Sequence, residues 1–175
     1  MADQDSITTN PESIDDGQAS GPQAATIAQY IKDFSAESPS SPQVFQWQTQ
    51  PSLDVQFGIG GAKVADDVHE VTLKIDLTAK SDNGTHFILD LSYGGLFAIR
   101  NFPEEAMTPF LLVEAPRLLF PFARQIIADA VQNLGFPPVL LDPIDFGSAY
   151  VAQMEAQQQS QGQPGGDGEP PVGHA

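Results

Sequence analysis

Residues 68–93 constrain this chain most. Val71, Leu73, Ile75, Leu77 and Ala79 alternate with Glu70, Thr72, Lys74, Asp76 and Thr78. A period of two sends the two sets to opposite faces of a β-strand. Asp82-Asn83-Gly84 then supplies the turn chemistry of a hairpin. Phe87, Leu89, Leu91 and Tyr93 resume the alternation, with His86, Ile88, Asp90 and Ser92 outward. Upstream, Leu53, Val55, Phe57 and Ile59 alternate with Asp54, Gln56 and Gly58, a strand with one wet face. VFQWQT before it reads as extended, with Phe45 and Trp47 on one side and Gln50-Pro51 as an interruption. Residues 27–38 carry Ile27, Tyr30, Ile31 and Phe34 at helical spacing, but Tyr30, Lys32 and Phe34 also alternate with period two and Pro39 and Pro42 follow closely, so a first strand is expected. Gly58, Gly60 and Gly61 read as a flexible turn, and Gly94-Gly95 as a bend or bulge. Together these predict a meander of about four antiparallel strands with local pairings. Acids at 54, 70, 76 and 90 share the outward parity, so the wet face should be negative, with Ile88 an apolar spot in it.

Helical signals take over after Arg100. Pro103-Glu104-Glu105 and Thr108-Pro109 both resemble helix starts. Pro121 suits a first helical position and Gly135 a left-handed terminus. Between them Phe122, Ala123, Ile126, Ile127, Ala130, Val131 and Leu134 repeat at helical spacing. The other side offers Arg124, Gln125, Asp129, Gln132 and Asn133, only two of them charged. Such a helix is either the core helix of a monomer, or it lies on its own sheet and against another subunit. The following GFPPVLLDPIDF combines six large apolar residues with three prolines, so it should plug the core or line a groove. Asp145 is placed to cap a last helix through Tyr150 and Met154.

Composition narrows the function. Seven basic residues face 23 acidic ones, for a net charge of −16. Nucleic-acid and anionic-membrane binding are disfavoured for lack of a basic footprint, a basic protein partner is allowed, and acidity that only serves solubility is the alternative. Residues 1–26 hold five acids and no base; 27–156 hold 16 acids and all seven bases. The segment 1–26 reads as a disordered acidic tail, 27–156 as one folded domain, and 157–175 as a disordered tail rich in Gln, Gly and Pro. No cysteine is present, which excludes disulfides and fits a reducing compartment. MADQDSITTN lacks the character of a secretory signal, and Glu114, Pro116 and Arg117 break FLLVEAPRLLF well short of a membrane span. A soluble, cytoplasmic protein is expected.

Catalytic constellations are poor. Asp66, Asp67 and His69 could imitate a metal cluster, but a turn followed by a solvent-facing strand residue explains them better. No nucleophile motif stands beside His86, GIGG lacks the ending of a phosphate loop, and Glu104-Glu105 suit a helix start. No enzyme, cofactor or metal site is expected.

Several separate stretches resemble the SecB family of bacterial export chaperones. LFPFARQII and GFPPVLLDPIDF resemble the family's long helix and the loop into its last helix. Val64 to Val71, Tyr93 to Phe97 and Lys32 to Glu37 resemble three further family motifs, in order. Two departures stand out: Ala36 replaces an aromatic, and Trp47 precedes by two positions the family's tryptophan, here Thr49. The resemblance implies an α+β subunit, with a four-stranded antiparallel sheet and helices on one face, assembled as a dimer of dimers. It implies ATP-independent binding of unfolded precursor proteins, kept translocation-competent and delivered to the SecA motor. A non-export client such as a toxin–antitoxin pair is the alternative, and a small-molecule carrier a more distant one. The implied client groove comprises Phe45, Trp47, Phe57, Phe136, Leu140, Leu141, Phe146 and Tyr150, each of which could instead be core; for Phe57 core packing is the better expectation. The implied SecA surface is Asp33, Glu37, Ile88 and Asp90. The implied tetramer interface is Phe122, Gln125, Ile126, Asp129, Gln132 and Asn133.

Overall fold

The computed structural model describes residues 21–161. Its strands are β1 (Gln23–Glu37), β2 (Ser52–Ala65), β3 (Val68–Ser81) and β4 (Gly84–Arg100). The helices are α1 (Glu104–Pro109), α2 (Ala115–Asn133) and α3 (Phe146–Gln161). The sheet is antiparallel, in the order β1-β4-β3-β2.

The hairpin forms as its alternation predicts. β3 and β4 pair from Ser81↔Gly84 to Val68↔Ala98. Val71, Leu73, Ile75, Leu77, Ala79, Leu89 and Leu91 have no exposed surface, and Phe87 and Phe97 almost none. Each large side chain buried this way contributes roughly 1.5–3 kcal/mol relative to exposure.

Four sequence expectations about the sheet are corrected. Pairing is not wholly local, because β1 docks on β4 rather than on β2. The sheet begins at Gln23, so residues 23–26 belong to it and not to a tail; residues 1–20 lie outside the described residues. Gly60 and Gly61 continue β2 instead of turning, and the turn falls at Asp66-Asp67, where Asp67 has φ 57°. Gly94 and Gly95 keep β4 in register with β3. Their purpose is room: a Cβ at Gly94 would stand 2.9 Å from the Tyr30 ring, and one at Gly95 2.7 Å from Leu119. The bulges lie instead in β1, at Ile27 and Lys32, each an extra residue opposite β4.

The long helix also starts earlier than Pro121 suggests. α1, a π-helical turn at Phe110–Glu114 and α2 run on continuously, with Pro121 inside α2. Pro121 and Arg117 are exposed, so water can take the carbonyl that Pro121 leaves without a donor. Glu114, Pro116 and Arg117 therefore do not break the run, and by length and composition Glu104–Asn133 could cross a membrane. Here Leu119, Phe120, Ala123, Ile127 and Val131 of α2 are buried in the core with the inward side chains of β3 and β4. Gly135 ends the helix at φ 93°, with its N–H donating to Gln132 and that of Phe136 to Val131. Asp145 caps α3, accepting from the Ser148 N–H at 3.0 Å and its hydroxyl at 2.7 Å. α3 runs to Gln161, so residues 157–161 are helical; 162–175 lie outside the described residues.

Candidate functional site

One helix cannot cover four strands. α2 lies over β3 and β4, so side chains of the outer strands that share its side of the sheet stay open. On β1 these are Ile31 and Phe34; on β2 they are Leu53 and Phe57. The Pro-rich segment 136–145 and the start of α3 approach the β2 edge, and two clefts result.

The first cleft, about 400 Å³, is lined by Phe57, Ile59, Leu112, Ile144, Phe146, Ala149 and Tyr150. The second, about 310 Å³, opens near Leu53 and is walled by Pro51, His86, Phe87, Phe136, Pro137 and Val139. Leu53 and Phe57 share a strand face four residues apart, about 13 Å. An extended chain along this edge could therefore place side chains in both clefts. Phe136 holds the second together, with ring centroids 5.4 Å from Phe45 and 5.1 Å from Phe87.

Expected groove residues divide. Phe57 is 42% exposed, so core packing is the wrong expectation for it. Phe45 and Leu140 are exposed, while Phe136, Trp47 and Tyr150 are half-buried. Leu141 is a core residue, 7% exposed, and Phe146, 2% exposed, belongs to the core while lining the first cleft. Proline spacing places Leu140 and Leu141 side by side but does not say which one turns inward. Residues 43–46 form a 3-10 turn rather than an extended segment, which buries Val44 and leaves Phe45 out. Leu53, Leu112, Ile144 and His86 also wall the clefts, and sequence reasoning missed them. For Leu53 the signal was available, because it shares the parity of Phe57.

His86 departs from its expected solvent position. It has outward parity yet is 4% exposed, because the segment between β1 and β2 folds over it. Its Nε2 lies 2.8 Å from Ser81 Oγ, and Trp47 meets the ring edge-on at 5.0 Å. His69 is likewise half-buried. Among the described residues no group of three His, Cys, Asp or Glu is arranged to hold a metal.

The opposite face of the sheet is acidic. Register places Asp33 opposite Ser92, Ser35 opposite Asp90, Glu37 opposite Ile88 and Asp76 opposite Asp90. Asp33, Glu37, Ile88 and Asp90 are thus brought onto one surface. Asp76 and Asp90 share a hydrogen bond, which holds the Asp90 carboxyl above the usual range and the Asp76 carboxyl below it. Lys74 lies 3.2 Å from Asp76 and 3.9 Å from Asp90. Further along, the Tyr30 hydroxyl donates to Glu70 at 2.5 Å across Gly94, and Lys32 donates to the same carboxylate at 2.7 Å. Lys32 first, then Tyr30, holds the Glu70 pKa down; the Glu70 bond pushes Tyr30 up to about 12. This tie fastens the edge strand β1 across β4 to β3.

On the outer side of α2, Leu118 and Phe122 are 49% and 52% exposed. Gln125, Asp129, Gln132 and Asn133 are also exposed, and Ile126 is half-buried. Gln125 Nε2 donates to Asp129 at 2.8 Å, so part of this polar face is already satisfied within one chain.

A family model described as preprotein translocase subunit SecB matches residues 17–158. The protein-export protein SecB of Sphingopyxis alaskensis is 49% identical over 176 residues, covering all of both chains. That of Zymomonas mobilis is 54% identical over 136 residues, 78% of this chain and 83% of its own. Among solved structures, a Mycobacterium tuberculosis SecB-like chaperone in complex with a ChAD peptide from an antitoxin is similar in fold. It has a TM-score of 0.58 and 17% identity, covering 69% of this chain and 90% of that one. The fold, the match along most of the sequence and the identity to relatives over their full length together place this chain in the SecB family of protein-export chaperones, which are not enzymes.

Proposed function

We propose that this chain is an ATP-independent holdase that binds unfolded precursor proteins in the cytoplasm and delivers them to the SecA motor. The observation that carries the reading is the apolar surface left open beside β2. Leu53 and Phe57, at least 42% exposed, line two clefts of 310–400 Å³; Phe45, stacked on the Phe136 wall, and Leu140, next to Val139 in the chain, are exposed as well. Contiguous exposed apolar surface marks a binding site. Two separate clefts suit a client that offers varied apolar sequence rather than one motif.

The acidic sheet face is the proposed SecA surface. Asp33, Glu37 and Asp90 surround Ile88, which suits a small basic domain with an apolar contact. The stripe Leu118, Phe122, Gln125, Asp129 and Gln132 on α2, with Ile126 and Asn133 beside it, is the proposed contact that joins subunits into a dimer of dimers. Repeating the clefts in an assembly lets weak contacts along one client add through effective concentration. The test is to dilute a denatured precursor into buffer with and without the protein, lacking nucleotide. Slowed refolding, relieved by SecA, is expected. Unchanged refolding at excess protein would sink the reading.

A further inference from the structure

β4 has a bulge of its own, away from Gly94-Gly95. Its register with β3 runs Ala79↔Phe87 and then Lys80↔Thr85, so His86 is an extra residue with no partner on β3. Bulges of this kind re-aim a side chain. This one is held from outside the hairpin: Ser38 Oγ donates to the His86 carbonyl at 2.9 Å. His86, outward by alternation, thereby walls the second cleft beside its inward neighbour Phe87. The ring is fixed on several sides. Trp47 meets it edge-on, the Phe136 centroid lies 6.2 Å away, and Nε2 sits 2.8 Å from Ser81 Oγ. Ser81 Oγ in turn accepts the Asn83 N–H at 3.3 Å.

The Ser81 contact accounts for one ring nitrogen only. Among the described residues Nδ1 of His86 has no hydrogen-bond partner, and it is not sealed off as Nδ1 of His69 is. A side chain only 4% exposed thus keeps one free polar atom at the wall of a cleft. The rest of that wall is Leu53, Phe87, Phe136, Val139 and three prolines; Gln50, its other polar residue, is exposed.

We propose that His86 makes the second cleft a site for a tyrosine side chain of an unfolded precursor. The ring- and proline-rich wall takes the aromatic body, and Nδ1 takes the phenol hydroxyl. Phenylalanine would cover Nδ1 and leave it unpaired, a loss that the phenol avoids. A serine hydroxyl would pair but leave the apolar wall open to water. A lysine would carry its charge against that wall, which is costly. A phenol hydroxyl both donates and accepts, so the match holds for whichever tautomer Ser81 selects. The proposal rests on the client-cleft reading and adds to it that the cleft selects by hydroxyl as well as by apolar area.

The test uses the full-length protein and a fluorescent Ser-Gly-rich peptide with one leucine and, four residues on, one tyrosine. Its twin has phenylalanine in place of the tyrosine. In anisotropy titrations the tyrosine peptide should bind about fivefold tighter or more, as one net hydrogen bond implies. His86→Leu should bring the ratio of the two affinities to about one. His86→Asn, whose amide falls where Nδ1 lies, should retain a preference of at least about twofold. A second readout needs no variant protein to bind. The chain has three histidines, so the imidazole signal lost in His86→Leu identifies His86. In the unmodified protein the tyrosine peptide should shift the Nδ1 resonance far more than the phenylalanine peptide does. Equal affinities for the unmodified protein, or an Nδ1 signal indifferent to which peptide is added, overturns the role of His86 alone. Binding by neither peptide overturns the client-cleft reading and this proposal with it.

Discussion

Leu140 and Leu141 are adjacent, chemically identical and differently placed, so replacing each by Ser separates core from cleft. Leu141 is 7% exposed within the core cluster; Leu140 is 62% exposed. Truncating a buried leucine costs roughly 2–5 kcal/mol in lost transfer energy and cavity. A hydroxyl left without a partner adds about 1–3 kcal/mol. For Leu141→Ser about 4 kcal/mol is therefore expected, a large part of the 5–15 kcal/mol that holds a typical domain. With a urea m value near 2 kcal/mol/M, the unfolding midpoint should fall by about 2 M. Leu140→Ser should stay within about 0.5 kcal/mol of the unmodified protein. The assay is urea unfolding at one fixed protein concentration, since assembly makes apparent stability concentration-dependent. Precursor capture is measured on the same samples. Leu140→Ser should weaken capture with its midpoint intact. Equal midpoints in the two variants, or weakened capture by a fully stable Leu141→Ser, would refute the division of the loop into a buried and an open face.

Gly95→Ala should cost about 1–3 kcal/mol by overpacking, because its methyl would meet Leu119 and the Phe97 ring; thermal unfolding reads this. The Glu70 tie is lost in acid: a carboxyl held below 4.5 contributes stability above that pH and loses it as pH falls through the folded pKa. Glu70→Gln should flatten that limb of the stability profile. Tyr30, raised to about 12, contributes stability that is complete below its ordinary 10.0 and fades as pH rises through about 12; phenolate absorbance reports it. Asp90 has the opposite sign to Glu70, since its raised pKa means that native stability falls as pH climbs from 3.8 through the folded value. Over the same window the sheet face gains negative charge, so calorimetric affinity for SecA should rise. Asp33→Lys and Asp90→Lys should each weaken SecA binding, most at low salt, and leave precursor capture nearly unchanged.

The sequence by itself determined the elements whose causes are local. Alternation at 68–93 set the hairpin and its inward residues, because a strand's side-chain period is fixed by the backbone. Gly135 ended the long helix and Asp145 began the last one, because caps are satisfied within a few residues. The acids of β2, β3 and β4 on the outer face followed from parity, whereas Asp33 and Glu37 were expected there only from the resemblance, and the pairing of β1 with β4 brings them onto it. Tertiary structure decided the rest. Nothing within β1 says that it pairs with β4, yet that pairing sends the segment between β1 and β2 past the hairpin's end, where it buries His86 under Trp47 against its own parity. Gly94-Gly95 read as a bend, and only the Tyr30 ring and the Leu119 side chain reveal that they make room. Glu114, Pro116 and Arg117 read as breaks in a helix that tertiary packing carries straight through. Phe57 stayed open on the helix side of the sheet because one helix covers only the middle of four strands, a shortfall of area that no local pattern encodes, and the packing of the Pro-rich loop decided that Leu141 and not Leu140 turns inward.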